Sequence, residues 1–211
     1  VKKQAGVCSF LVLNTGVMIE TKLEDGTSVV ARPLGLADRA SLAEGYRRLS
    51  PESRYQRFWV RTGGVIGDKM LDRMLAGSVE EHGLWAVMDP TREFPGLGAA
   101  SFWRSDEDGE EAEFSCTVLD EDQRRGVGTL LLAVLWLVAY RQGIRRFTGY
   151  TMPENTAAIR WMRDTGAEAE WDGYKVIFRW DLADLDKLPA SSAAIALAER
   201  LAELSGELLE G

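Results

Sequence analysis

The sequence predicts an α/β fold in which one mixed β-sheet is flanked by helices. Three observations carry this expectation. The chain has 211 residues, 45% of them hydrophobic, with seven tryptophans, enough for one full core plus extensions. After a start of one strand and short helices, three strand-like segments run together and then alternate with helices, the order of a mixed sheet covered by helices. The stretch from Cys116 to Leu132 reads as strand, acidic loop, glycine turn and helix. That helix is apolar almost without break from Leu130 to Tyr140, so it should be largely buried.

Residues 1–17 are expected to be an extension. Lys2 and Lys3 precede the apolar run Val7–Leu13, as in a secretory leader, but no small-x-small cleavage site follows. Seven apolar residues are also too few to span a bilayer. The main domain is placed at 18–182 and a tail at 183–211. Within the domain, Thr27–Pro33 is β-rich. Asp38 can start a helix that carries Leu42, Tyr46 and Leu49 on one face. Ser50 and Pro51 form a second helix start, as N-cap and first residue. Asp68–Leu75 is a short helix.

Leu84–Met88 and Gly96–Trp103 read as a hairpin, Ser105–Glu111 as an acidic connection and Ala112–Leu119 as the central strand. Helix Gly128–Gln142 stops at Gly143, a favourable residue just past a helix end. Strand Ile144–Thr151 follows, then a helix capped by Asn155, then the alternating strand Tyr174–Asp181. In the tail, Leu197, Leu201, Leu204 and Leu208 form one stripe, with Glu199, Glu203 and Glu207 opposite. That stripe calls for a partner, in this domain or in a second copy of the chain.

The formal net charge of −8 and the lack of a basic stripe argue against nucleic acid and favour cationic partners. Two cysteines, Cys8 and Cys116, make neither a ligand cluster nor a disulfide framework, which suits reduced thiols in a cytoplasm. His82 is the sole histidine and sits in Val79-Glu80-Glu81-His82-Gly83, expected to be a solvated turn, so no metal site is expected.

The chemistry is concentrated at Gln123-Arg124-Arg125-Gly126-Val127-Gly128-Thr129. Glycines at 126 and 128 let a ligand approach the backbone closely. The first turn of the helix beyond them leaves amides unpaired, an anion site reinforced by the helix dipole. A tight strand–helix turn accounts for Gly-x-Gly equally well. The Gly-x-x-x-x-Gly-Lys-Ser/Thr motif is absent, and Leu131 replaces the third glycine of a dinucleotide fingerprint. Along Ala112–Leu119, Phe114, Cys116 and Val118 share one face, while Glu113, Ser115 and Thr117 share the other. Taken alone, Glu113 is a carboxylate at a strand edge, and Cys116 an inert buried thiol.

Gln-x-x-Gly-x-Gly after a strand and opening a helix resembles the acyl-CoA pyrophosphate loop of the GNAT superfamily of N-acyltransferases. Asn155 and Gly166 stand where that family's second signature places an Asn and a Gly. The resemblance covers about 18–182 and implies a GNAT-type, mostly antiparallel central sheet with acetyl-CoA as cosubstrate. Cofactor contacts would fall on Cys116, Thr117, Val118, Gln123, Arg124, Arg125, Gly126, Val127, Gly128, Thr129 and Asn155. Ala112-Glu113-Phe114, and the stretch from Leu49 to Trp59, are similar to bacterial protein lysine acetyltransferases. That likeness implies Glu113 as general base, an oxyanion donor near Val118, and a protein lysine as acceptor. Met162 stands where the family often carries a tyrosine acid, and Ala167 replaces an aromatic, so Tyr150 is the remaining candidate proton donor. Acetylation of a small cationic amine or drug, or silent acyl-CoA binding, are the alternatives.

Overall fold

The computed structural model describes residues 18–76, 82–105 and 109–209. Its first element, β1 (Ile19–Lys22), pairs antiparallel with β2 (Ser28–Pro33). Sequence reading missed β1, a strand of four residues held by a partner close along the chain. A single 3-10 turn, Leu36–Asp38, leads to α1 (Arg39–Arg48), α2 (Pro51–Phe58) and α3 (Asp68–Leu75). Asp38 does not cap α1 with its side chain, because its carboxylate accepts from Arg32 at 3.0 and 2.6 Å. Ser50 does cap α2, accepting from the Ser53 amide at 3.1 Å, with Pro51 in the first turn.

Strands β3 (His82–Met88), β4 (Gly96–Arg104) and β5 (Glu111–Val118) form an antiparallel meander. Helix α4 (Val127–Arg141) crosses to β6 (Arg146–Thr151), followed by α5 (Thr156–Asp164), β7 (Glu168–Trp171), β8 (Val176–Asp181) and α6 (Ser192–Leu209). The sheet runs β1-β2-β3-β4-β5-β6-β8-β7, and every pair is antiparallel except β5–β6. A parallel pair needs a long crossover, and α4 supplies it. Strand β7 was also missed; all four of its residues are exposed, so no apolar alternation marks it.

Helix α4 is apolar on every side because it is covered on two. It lies against β3, β4 and β5, and α6 packs on it from outside. Leu197, Leu201, Leu204 and Leu208 are all buried there, in the same core as Leu130–Leu135, Phe114, Phe147 and Trp180. Glu199 and Glu203 face solvent. Arg200 fastens α6 to the first ribbon through Thr21 Oγ1 at 3.0 Å and the Lys22 carbonyl. The leucine stripe therefore has its partner within the chain.

His82 corrects an expectation. It opens β3 instead of lying in a solvated turn, is 5% exposed, and stacks on Trp103 at 3.9 Å between ring centroids. Pairing with Trp103 across β3–β4 draws it into the sheet, a long-range contact that its acidic neighbours in sequence do not betray. The expected extension at residues 1–17, with Cys8, lies outside the described residues, as does part of the acidic connection before β5. Among the described residues, no helix is long and apolar enough to cross a membrane.

Candidate active site

The site begins where the sheet opens. β5 and β6 pair only through Glu111↔Arg146, Ala112↔Phe147 and Glu113↔Thr148; beyond Glu113 the strands part. From Phe114 to Val118, one edge of β5 has no neighbouring strand, while its other edge remains paired with β4. The Leu119 amide donates to Leu97 on the β4 side at 2.9 Å. Strand alternation then turns the Val118 and Cys116 amides the other way, into the opening.

The glycine turn lies directly beside it. Gly126 is the N-cap of α4 with φ +84°, a left-handed conformation that favours glycine, and no side chain caps the helix. Leu130 is the first residue to donate back, to the Gly126 carbonyl at 2.9 Å, so the amides of Val127, Gly128 and Thr129 have no partner within the helix. A Cβ on Gly128 would lie 3.8 Å from Val118 Cγ2 and 3.5 Å from the Trp161 ring, so turn and opening are contiguous. This pair of features fits a ligand with an anionic group and a narrow extended arm.

The two arginines of the turn differ. Arg124 is exposed, adopts φ +62° and has no side-chain partner among the described residues. Arg125 is committed elsewhere: it donates to Asp25 at 2.8 Å, Asp122 at 2.6 Å and Thr27 at 2.9 Å. Gln123 is exposed, with Nε2 3.4 Å from the Val118 carbonyl. Thr129 is buried and accepts from Trp161 Nε1 at 3.2 Å. Asn155 is occupied as a cap, its side chain accepting from the Ala158 amide at 3.1 Å.

On the other face of β5, Glu113 is exposed at the last paired position before the strands part. Tyr150, 36% exposed, lies on the same face of β6, and Lys175 Nζ stands 3.9 Å from its ring centroid. Burial, then the Glu113 and Glu111 carboxylates, hold the Tyr150 phenol above its ordinary value. Burial pushes the Cys116 thiol up to about 12, so at neutral pH it is no nucleophile. Met162 packs against the core.

Between this face and helices α1–α3 lies a cavity of about 110 Å³. Ser115 and Thr117 line it, together with Leu42, Tyr46, Phe58 and Met74. Asp120, just past β5, ties α2 to this wall by accepting from the Ser50 amide at 2.9 Å, Ser50 Oγ at 2.8 Å and Ser53 Oγ at 2.7 Å. Burial alone would raise the Asp120 carboxyl, but these bonds outweigh it and hold the value low. Sequence reading missed Arg57, whose Nη2 donates to Ser115 Oγ at 2.8 Å, and Trp161 beside the turn. The aromatic run Tyr55-Gln56-Arg57-Phe58-Trp59 was the available signal for Arg57; nothing local marks Trp161 as more than a helix-face aromatic.

Residues 29–168 match the family model described as Acetyltransferase (GNAT) domain. Acetyltransferase Pat of Mycolicibacterium smegmatis is 27% identical over 149 residues, covering 71% of this chain and 44% of that protein. The chain thus spans less than half the length of this curated relative. Acetyltransferase PA5475 of Pseudomonas aeruginosa is 30% identical over 146 residues, 67% of this chain and 74% of that protein. The crystal structure of the GNAT domain of S. lividans PAT superposes with a TM-score of 0.72 at 25% identity, covering 78% of this chain and 96% of that one.

Proposed function

The chain belongs to the GNAT acetyltransferase family, and on that premise we propose that it moves an acetyl group from acetyl-CoA to a primary amine, that of a protein lysine. The observation that carries this reading is the opening between β5 and β6, with the Val118 amide turned into it and the uncapped start of α4 alongside. When bound, acetyl-CoA supplies the acyl group as an activated thioester. We assign the amides of residues 124–129 to its pyrophosphate, with side-chain charge from Arg124 and only the backbone from Arg125. Cys116, Thr117 and Val118 border its extended arm, and Gln123, Trp161 and Asn155 flank the path.

Glu113 is assigned as the general base. A free lysine has a pKa near ~10.4, so roughly one in 2,500 is neutral at pH 7. A carboxylate at the acceptor side removes the ammonium proton as the amine attacks. Glu113 is exposed, which leaves it within reach of a side chain carried on another folded protein. The Val118 N–H is assigned to the developing oxyanion. Tyr150 remains protonated, its value raised as described, and is the candidate donor to a departing thiolate. A thiol with a pKa near ~8.5 leaves without strong acid assistance, which suits a site carrying Met162 in place of a tyrosine.

Intact-mass analysis tests the reading. The chain is incubated with acetyl-CoA and a panel of lysine-bearing proteins, in parallel with polyamines and aminoglycosides. A gain of one acetyl group on protein lysines is expected. Transfer confined to small amines overturns the acceptor assignment, and no transfer to any amine overturns the enzyme.

A further inference from the structure

The cavity beside β5 contains a guanidinium that the fold leaves without an anion. Arg57, near the end of α2, donates from Nη2 to Ser115 Oγ at 2.8 Å, and that oxygen is shared with Ser101 Oγ at 3.0 Å. Its guanidinium carbon lies 5.1 Å from the centroid of the Phe58 ring. Among the described residues no carboxylate pairs with it; Cys116 and Glu113 act on it only at longer range. Two other arginines are satisfied differently. Arg92 is paired with Asp122 and Asp89, and Arg54 donates to the carbonyls of Leu49 and Arg47. Arg57 is partly buried, and burial holds its guanidinium below the ordinary arginine value, with Cys116 and Glu113 offsetting only part of the effect.

Arg57 also lines the cavity, whose other walls are largely apolar: Leu42, Tyr46, Phe58, Met74 and Phe94. We propose that this cavity binds an apolar carboxylic acid, its carboxylate paired with Arg57 and its body among Leu42, Phe58, Met74 and Phe94. Three features select this class. An arginine fork matches the two oxygens of a carboxylate. A phosphate would bring more charge and more oxygens than one guanidinium and the Ser101–Ser115 pair can satisfy, stranding polar atoms against apolar walls. The volume of about 110 Å³ suits a branched-alkyl or phenyl body, being of the order of cavities that admit benzene.

The site is separate from the glycine turn and requires neither a thioester nor an amine. Its occupant would rest on Ser115 and Thr117, the strand that borders the β5–β6 opening, and so would abut the acyl-transfer site from the acceptor side.

The test is binding by the unmodified chain, measured calorimetrically with saturating coenzyme A present so that the glycine turn is not the anion's target. The probes are phenylacetate and isovalerate, each against its neutral amide, phenylacetamide or isovaleramide. Saturable binding of the acids is expected, at least tenfold tighter than that of the amides. Arg57→Gln should erase this preference, and Met74→Trp, which fills the cavity, should weaken acid and amide alike. Equal binding of acids and amides, acid binding that survives Arg57→Gln, or no binding overturns the proposal. The acid–amide contrast in the unmodified chain decides the matter even if Arg57→Gln fails to fold. Because the readout is binding, it stands apart from whether any amine is acetylated.

Discussion

Asp122, fully buried, accepts two hydrogen bonds from the guanidinium of Arg92, at 3.0 and 2.9 Å. It also accepts from Arg125 at 2.6 Å, so one carboxylate joins the β3–β4 connection, the glycine turn and, through Asp25, the first ribbon. Removing Asp122 forfeits these charge-assisted hydrogen bonds, at a cost of about 1.5–3 kcal/mol, while Arg92 keeps Asp89 and Arg125 keeps Asp25. Asp122→Ala is therefore expected to lose about that much in urea unfolding. Whatever fraction stays folded should bind acetyl-CoA more weakly, because Arg125 then loses one of its two carboxylates. Unchanged stability would show that the arginines find other acceptors.

The two glycines of the turn should respond differently. Gly126 sits at φ +84°, and a Cβ there would approach Glu24 to 3.2 Å, so Gly126→Ala is expected to destabilise the fold by roughly 1–2 kcal/mol. A Cβ on Gly128 meets Trp161 at an ordinary 3.5 Å, and alanine is the better helix former. Gly128→Ala should thus fold at least as stably as the parent, and it is a bulky replacement, Gly128→Phe, whose thermal stabilisation by acetyl-CoA is expected to be lost. Full stabilisation of that variant by acetyl-CoA would remove the turn from the cofactor site.

Glu113→Gln preserves shape and removes the proton acceptor. Turnover with a defined acceptor is expected to drop on the order of 10²–10⁴, while acetyl-CoA affinity holds. Raising the pH supplies free amine, so the variant should regain part of its rate. Turnover equal to that of the parent at neutral pH would transfer the role to Tyr150 or a water chain.

His82 supplies a pH signature. Burial lowers its value from 6.5 to about 4, so the folded chain keeps it neutral while the unfolded chain protonates below about 6.5. Between those values the unfolded state binds more protons, and stability falls as pH is lowered from about 6.5 to about 4. The loss should be roughly 1–3 kcal/mol, and His82→Phe, which retains the stack on Trp103, should flatten that part of the profile. An identical slope in the variant would assign the acid sensitivity to other groups.

Much of the architecture was legible in the residues because its signals are local. Ser50 and Asn155 cap their helices through side chains that reach three residues along the chain. The left-handed Gly126 follows from a backbone conformation that one residue type adopts readily. The alternation of Phe114 and Cys116 against Glu113 and Ser115 follows from the two-residue period of a strand. Each is a preference of a few neighbouring residues, and these preferences fixed the strand–turn–helix at the centre of the molecule.

What only the tertiary structure decided are relationships between residues far apart in the chain. The leucine stripe of α6 asked for a partner, but only packing shows that it covers the outer side of α4 and explains why α4 is apolar all round. Arg125 looked available to a ligand until Asp25, a hundred positions earlier in the chain, engaged it. His82 lies among acidic neighbours in sequence, yet Trp103 across the sheet buries it. Arg57 acquired its meaning from Ser115, fifty-eight positions away, and from a cavity that no single segment forms. Propensity and period act over a few residues, whereas burial and pairing are properties of the assembled sheet.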